Sequence, residues 1–251
     1  MNCLLCPICR QTPASIPSIC HTCHNYYLTE LEKTPPAILD LTPKSTQTKP
    51  LRTELFRFPI ISFLYERILP PIWALGLRNS GGIEAEFQKC RDFFGENPGI
   101  FADISCGTGI MARKFAKLGT CQQIIALDYS ELMLEQLQQQ IQLEEISPNQ
   151  ITIIRADIEA LPLASDSIDV IYTGAAMHCW PNPENGIRNI YRVLRPGGKL
   201  FATTFLKPLP NLIFQFFTVE EIKQIFTTAG FHPSSIQIET KGLYVTVQCV
   251  K

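Results

Sequence analysis

The 251-residue sequence lacks an excess of charge of either sign, because its 22 lysine and arginine residues are balanced by 23 aspartate and glutamate residues. A formal net charge of −1 excludes a global basic field, so binding to nucleic acid would require a local basic patch. The sequence also lacks an apolar run that could span a membrane, since residues 58–77 are interrupted by Glu66, Arg67 and prolines. Its first residues lack the charged, apolar and small-residue zones of a signal peptide. We therefore expect a cytoplasmic protein with no transmembrane segment, for which peripheral membrane contact stays an alternative.

Cysteine, by contrast, is abundant, with ten residues in the chain and five of them within the first 23 positions. In a reducing compartment such a cluster favours metal binding over disulfides, which are the alternative. Two C-x-x-C pairs lie ten residues apart, and each pair presents two thiolates to one tetrahedral ion. The predicted ligands of a structural Zn²⁺ are Cys6, Cys9, Cys20 and Cys23. Replacement of one of them by Cys3, His21 or His24 stays open.

The distribution of apolar residues divides the chain into two predicted parts. Residues 1–45 form a zinc-ribbon-like module and a proline-rich linker with an extended piece near residues 38–41, and residues 46–251 form the main domain. Within it we predict a helical lid over residues 51–95 and a core over residues 96–251. In the core, short apolar runs alternate with amphipathic stripes, which predicts a mostly parallel sheet with its ligand at the carboxyl ends of the strands. The last two strands turn at a Lys-Gly step, so we expect an antiparallel edge.

A glycine-rich loop follows the first strand of the core, where residues 100–109 read IFADISCGTG. The Gly-x-Gly-x-x-Ala spacing, with Asp128 nineteen residues after Gly109, resembles a dinucleotide-binding loop, so a dehydrogenase is one alternative. Asp103 argues against it, because a carboxylate at the mouth of the loop would repel a pyrophosphate and suit a cationic ligand. The structural alternative is that the glycines only permit a tight strand-to-helix turn.

Four motifs, in this order, resemble those of the class I S-adenosylmethionine-dependent methyltransferases. They are DISCGTG at 103–109, ALDYS at 126–130, RADIEALP at 155–162 and VLRPGG at 193–198. The resemblance implies an α/β, Rossmann-like fold with a seven-stranded sheet, mostly parallel with an antiparallel C-terminal edge, and S-adenosylmethionine as co-substrate. The departure from the motif is Ser105, which stands where glycine is usual, so we expect a slightly altered loop.

The resemblance also implies which side chains and amides hold the cofactor. The loop amides would hold the methionine end, Asp128 would accept from both ribose hydroxyls, and Asp157 would accept from the adenine amino group beside Ile158. The cofactor-binding residues implied in this way are Asp103, Ser105, Cys106, Gly107, Thr108, Gly109, Asp128, Tyr129, Ser130, Asp157, Ile158 and Gly174. The alternatives are that Asp128 is a plain helix cap and Asp157 an ordinary loop residue.

The residues that follow the fourth strand face the methyl acceptor in this fold, and here residues 173–183 read TGAAMHCWPNP. His178 could take a proton from the acceptor, and Trp180 could stack on a planar substrate. Tyr65, in the predicted lid, is the third candidate catalytic residue. The alternatives are that His178 hydrogen-bonds within its loop, that Trp180 anchors the next helix, and that the lid simply packs on the sheet.

Over nearly its whole length the chain resembles a group of uncharacterised methyltransferases of cyanobacteria and plant plastids. The cysteine pairs and segments such as LDLT, RTELFR, SFLYER and HCWPNP carry this resemblance. A start close to the cysteine pairs favours a bacterial, cytoplasmic version.

The predicted activity is methyl transfer to a small or lipophilic planar acceptor of the quinone or phenolic type, by a monomer or homodimer. A weaker resemblance to zinc-containing rRNA guanine methyltransferases makes RNA the alternative partner. A non-enzymatic binding protein on the same fold is the third interpretation.

Overall fold

The computed structural model describes residues 36–42, 82–207 and 214–251. These ranges contain the predicted core, the end of the predicted lid and a short piece of the predicted linker. The four predicted zinc ligands, Cys6, Cys9, Cys20 and Cys23, and the candidate Tyr65 lie outside the described residues.

One sheet of eight strands runs through the described ranges. The strands are β1 (Ile38–Asp40), β2 (Gly99–Ile104), β3 (Cys121–Asp128), β4 (Ile151–Arg155), β5 (Ile168–Thr173), β6 (Leu194–Phe205), β7 (Gln237–Lys241) and β8 (Tyr244–Val250). Their order across the sheet is β1-β4-β3-β2-β5-β6-β8-β7. The neighbours from β1 to β6 pair in parallel, whereas β8 pairs antiparallel with both β6 and β7. The prediction of a mostly parallel sheet with an antiparallel C-terminal edge is confirmed.

The predicted count of seven strands is wrong, because β1 adds an eighth strand at the edge beside β4. Leu39 of β1 is buried and pairs in register with Ile154. Arg155 donates to the Asp40 carboxylate at 2.8 Å, although the two residues are 115 positions apart in sequence. An apolar contact and an ion pair thus add part of the predicted linker to the sheet.

Helices cover both faces of the sheet. On one face lie α1 (Gly82–Phe94), α2 (Ile110–Leu118) and α3 (Glu131–Leu143), and on the other lie α4 (Pro183–Val193) and α5 (Val219–Ala229). Large side chains that are almost fully buried fill the space between helices and sheet, among them Phe101, Phe115, Leu134, Phe201 and Phe226. The core is therefore two apolar layers separated by the sheet, as the alternation of apolar runs and helical stripes predicts.

The described end of the predicted lid, α1, is an amphipathic helix. Its buried residues Phe87, Cys90 and Phe94 follow a helical spacing and pack into the same apolar layer as α2 and α3. At the other end of the chain, α5 begins with a capping box of Thr218 and Glu221. None of the helices within the described ranges has the length and apolar character needed to cross a membrane.

The carboxyl ends of β2, β3, β4 and β5 meet at one edge of the sheet. β2 lies between β3 and β5 in the sheet, so the loops that follow β3 and β5 lie on opposite sides of the loop that follows β2. A crevice opens between these loops. Two short 3₁₀ turns, Ile158–Ala160 and Met177–Cys179, follow β4 and β5 at this edge. The fold thus brings four widely separated loops of the sequence to one place.

Candidate functional site

A cleft opens at this edge, with about 900 Å³ of empty space when the open solvent at its mouth is included. The cleft brings together nine of the twelve predicted cofactor residues, which come from four loops. These nine are Ser105, Cys106, Gly107, Asp128, Tyr129, Ser130, Asp157, Ile158 and Gly174. Asp103, Thr108 and Gly109 are not among the lining residues.

The glycine-rich loop is fastened to the end of β3. The backbone N–H of Cys106 donates to the Leu127 carbonyl at 2.9 Å, and the N–H of Gly107 donates to the Asp128 carboxylate at 2.8 Å. Gly109 is the residue before α2 and has a φ of 69°. The loop is therefore held in a fixed position against the neighbouring strand, with part of its backbone along the cleft.

Asp128 joins two loops rather than capping a helix. One carboxylate oxygen accepts from Gly107 N–H and the other from Ser130 N–H, each at 2.8 Å. The cap of α3 is Ser130, whose hydroxyl accepts from the N–H of Met133. Burial raises the pKa of Asp128, and the backbone hydrogen bonds offset part of that effect. A carboxylate has about four acceptor positions, so Asp128 can still accept from a ligand hydroxyl.

Asp157 caps a short turn and also lines the cleft. Its carboxylate accepts from the N–H of Glu159 at 3.0 Å and so caps the 3₁₀ turn that begins at Ile158. Asp157 and Ile158 are both buried, with exposures of 6% and 8%, and both line the cleft. A carboxylate beside an apolar side chain is a suitable environment for the edge and face of a planar base.

Asp103 lies behind the loop and not in the wall of the cleft. It is 1% exposed, and one oxygen accepts from the N–H of Ala112 in the first turn of α2 at 3.0 Å. The other oxygen is buried and has no hydrogen-bond partner among the described residues. Burial raises the pKa of Asp103 to about 7, the Ala112 hydrogen bond opposes the rise, and the nearby charges of Asp128 and Glu86 add to it. Asp103 is thus a buried acid whose ionised form is incompletely stabilised by the protein.

Trp180 forms a wall of the cleft. It is 4% exposed, and its ring lies so close to Gly186 of α4 that a Cβ at position 186 would be 2.6 Å from a ring carbon. Its indole N–H donates to the hydroxyl of Ser105 at 3.0 Å, and Ser105 has a φ of 56°, in the left-handed region. The serine at the usual glycine position therefore connects the loop after β2 with the loop after β5.

His178 is not among the residues that line the cleft. It is 4% exposed, and the rings of Phe205, Phe214 and Phe216 surround it at centroid distances of 5.3, 5.4 and 5.9 Å. Burial lowers the pKa of His178 to about 4, so the imidazole is neutral at neutral pH and a weak base. The structure therefore places His178 in an aromatic cluster beside the cleft.

Several residues near the cleft were missed by the sequence analysis, above all Glu86, Tyr172 and Thr203. Glu86 accepts hydrogen bonds from the hydroxyls of Tyr172 and Thr203 at 2.6 and 3.4 Å. The one signal in the sequence was a carboxylate four residues before Cys90, which places it beside the apolar stripe of α1.

Within residues 36–42, 82–207 and 214–251, no group of three or more His, Cys, Asp or Glu side chains is arranged to hold a metal ion.

Asp103→Asn tests the balance between charge and burial. The folded pKa of about 7 lies above the unfolded value of about 3.9, so ionised Asp103 destabilises the fold increasingly as pH rises from 4 to 7. Asparagine keeps an acceptor for Ala112, so this variant should be more stable than the parent at pH 8, by ~4 kcal/mol at most, and nearly equal at pH 4. Urea unfolding at pH 4, 6 and 8 measures this. Asp92→Asn, at an exposed site on α1, is the matched control. Parallel pH curves for the Asp103→Asn variant and the parent would contradict the assignment.

Two substitutions of Ser105 separate backbone strain from the tether to Trp180. Both Ser105→Ala and Ser105→Gly remove the hydroxyl, but only glycine adopts a positive φ without strain, so the glycine variant should be more stable by about 1 kcal/mol. In both variants the Trp180 indole N–H should exchange faster with solvent, because its acceptor is gone. The indole signals in ¹H–¹⁵N spectra, assigned with Trp180→Phe, report this. Equal stability of the two variants would show that the backbone at position 105 is not strained. An unchanged indole signal would show that the tether to Trp180 is absent.

Residues 102–202 match a family model described as a methyltransferase domain, and all twelve predicted cofactor residues fall within this segment. An uncharacterised chloroplastic methyltransferase of Arabidopsis thaliana is 39% identical over 234 residues, which cover 84% of this chain and 64% of that protein. The chloroplastic 2-methyl-6-phytyl-1,4-hydroquinone methyltransferase of the same plant is 27% identical over 209 residues, covering 80% of this chain and 57% of that protein. The chain thus spans less than two thirds of the length of each relative.

Solved structures agree with the topology. An N-methyltransferase of Haemonchus contortus, crystallised with S-adenosylhomocysteine, superposes with a TM-score of 0.62 at 20% identity, covering 78% of this chain and 47% of that one. This likeness concerns the fold, which is the α/β, Rossmann-like fold of class I methyltransferases. Residues 102–202 thus resemble a methyltransferase domain in sequence, and the described residues share their fold with a solved methyltransferase.

Proposed function

We propose that this chain, whose residues 102–202 match a methyltransferase domain model, transfers the methyl group of S-adenosylmethionine to a small or lipophilic planar acceptor of the quinone or phenolic type. The observation that carries the proposal is the cleft in which the glycine-rich loop, Asp128 and Asp157 meet. These residues come from the ends of three different strands, and they are the three motifs through which the family would bind its cofactor.

The residues around the cleft fit the cofactor chemically. Loop amides suit a carboxylate, the Asp128 oxygens have acceptor capacity for ribose hydroxyls, and Asp157 with Ile158 suits an adenine. The unpartnered oxygen of Asp103 adds negative charge behind the loop, which complements an ammonium and a sulfonium. When bound, S-adenosylmethionine supplies an electrophilic methyl group. Since Asp103 has a pKa of about 7, cofactor affinity should rise as pH increases through this value.

Methyl transfer requires alignment more than side-chain chemistry. An in-line displacement gains most of its rate from holding the acceptor and the methyl donor in the correct geometry, so no nucleophilic side chain is required. Trp180 contributes to this by bounding the cleft, and its packing against Gly186 fixes the plane of its ring. We assign no proton transfer to His178, because its position in the aromatic cluster and its lowered pKa both make it a poor base.

The acceptor class is supported by the relatives and by side chains near the cleft. One relative is named for a hydroquinone, and the partly buried rings of Phe205, Phe214 and Phe216 lie beside the loop after β5. A balanced net charge also favours a neutral acceptor over a polyanion. The structural Zn²⁺ at Cys6, Cys9, Cys20 and Cys23, the cytoplasmic location and the monomer or homodimer state remain predictions from the sequence.

Asp128 variants test the cofactor site. Asp128→Ala removes the proposed acceptors of two ribose hydroxyls, and the loss of hydrogen bonds to a charged group should weaken S-adenosylhomocysteine binding by at least about tenfold. Asp128→Asn keeps one acceptor and should show a smaller loss. Titration calorimetry with the parent, both variants and the exposed control Asp92→Asn measures the effect. Unchanged affinity in Asp128→Ala would remove the ribose assignment, and binding of NAD by the parent instead would favour a dehydrogenase.

A transfer assay tests the acceptor. The purified full-length protein, incubated with S-adenosylmethionine labelled at the methyl group, should methylate one or more members of a panel of hydroquinones and phenols in detergent. The Asp128→Ala variant serves as the cofactor-deficient control. Label in unmodified rRNA and none in the panel would reject the small-molecule acceptor in favour of RNA. Cofactor binding without transfer to either substrate would favour a non-enzymatic binding protein.

A further inference from the structure

We propose that Glu86 of α1 is a positioning residue for the cleft, which holds the turn Gly174–Ala175 in place through the hydroxyls of Tyr172 and Thr203. This inference rests on the proposed function, because it assigns a role in the same cofactor site. Glu86 itself is not among the residues that line the cleft, and it precedes the segment that matches the methyltransferase family.

The Glu86 carboxylate collects hydrogen bonds from three strands. One oxygen accepts from Tyr172 of β5 at 2.6 Å and from Thr203 of β6 at 3.4 Å, and the other oxygen accepts from Tyr244 of β8. Tyr172, Thr203 and Tyr244 are all buried. One side chain of α1 is thus connected to both parallel and antiparallel parts of the sheet.

Thr203 carries the connection from Glu86 to the wall of the cleft. Its hydroxyl donates to Glu86 and at the same time accepts from the N–H of Ala175 at 3.0 Å, which one hydroxyl group can do. The same N–H also donates to the Thr203 carbonyl at 3.0 Å. The orientation of the Thr203 hydroxyl, and hence its hold on Ala175, therefore depends on the carboxylate.

The turn needs this support because its backbone is strained. Ala175 has a φ of 48°, a left-handed conformation that is unfavourable for a residue with a Cβ. Gly174 lies directly against the Tyr172 hydroxyl, where a Cβ would overlap the phenol oxygen. Both residues of the turn line the cleft. If the hydroxyl groups were released, the turn would relax and the wall of the cleft would move.

The charge at position 86 is difficult to explain by stability alone. Burial raises the pKa of Glu86, and the hydrogen bonds from the two tyrosines and Thr203 oppose that rise. A partly buried carboxylate costs desolvation free energy that an apolar side chain on α1 would avoid. What an apolar side chain could not do is accept three hydroxyl donors at once and fix their directions.

Two pairs of variants test the role through the affinity for S-adenosylhomocysteine. Thr203→Val keeps the shape but removes the acceptor for Ala175, and should weaken binding about tenfold, whereas Thr203→Ser keeps the hydroxyl and should restore parental affinity. Glu86→Gln should weaken binding by about three- to tenfold, because an amide offers one acceptor oxygen in place of two. Tyr244→Phe is the matched control, since it removes one donor to Glu86 without touching the turn, and affinity should stay within about twofold.

Calorimetry is combined with urea unfolding and with the Ala175 amide signal in ¹H–¹⁵N spectra of the full-length protein. The inference requires that this signal shift in Thr203→Val and Glu86→Gln but return in Thr203→Ser. It is overturned if Thr203→Val and Glu86→Gln unfold more easily than the parent yet bind S-adenosylhomocysteine with parental affinity. That outcome differs from failure of the proposed function, in which the parent protein itself would not bind S-adenosylhomocysteine.

Discussion

The candidate site depends on the Asp128 carboxylate, which accepts from Gly107 on one side and from Ser130 on the other. Parallel strands deliver their following loops to the same edge of a sheet, but they do not fix the distance between those loops. Asp128 does so for β2 and β3, because one rigid carboxylate ties a glycine-rich loop and a helix N-terminus together. Ser130 satisfies the N-terminal N–H groups of α3, which leaves the spare acceptor positions of Asp128 for the cleft.

Several features that oppose stability lie around the cleft. Asp103 has a buried oxygen without a partner among the described residues, and Ser105 and Ala175 both have left-handed backbones. Strained and incompletely satisfied groups persist where surrounding contacts over-determine them, and they mark functional sites more often than structural ones. Here the surrounding contacts are the Trp180 tether on Ser105 and the Thr203 hydrogen bonds on Ala175. Long-range partners therefore hold backbone conformations around the cleft that the local sequence does not favour.

The sequence predicted the parts of the structure that have a local period or a local motif. The alternation of strands and helices and the hairpin at Lys241–Gly242 follow from patterns within a few residues, whereas the grouping of Asp128 with Asp157 follows from the family resemblance. Contacts between distant residues were not accessible in this way. β1 is joined to the sheet in part by the ion pair of Asp40 with Arg155, two residues that are 115 positions apart in sequence. The hydrogen bond from Trp180 to Ser105 connects residues that are 75 positions apart. His178 was assigned by its chemistry alone, whereas its aromatic neighbours come from β6 and from residues 214–216.

The extent of the family match separates two kinds of residue in the site. All twelve residues that the resemblance assigned to the cofactor fall within residues 102–202, as expected if the segment encodes a shared binding function. Glu86 and Thr203 fall outside it, yet Thr203 accepts from the N–H of Ala175 and donates to Glu86, which connects both residues to the turn at Gly174 and Ala175. A shared segment can therefore supply the contacts to the cofactor while flanking elements set the position of one wall. Under the proposed function, a change in a flanking element would then alter the affinity for the cofactor by moving Gly174 and Ala175, although the matched segment itself is unchanged.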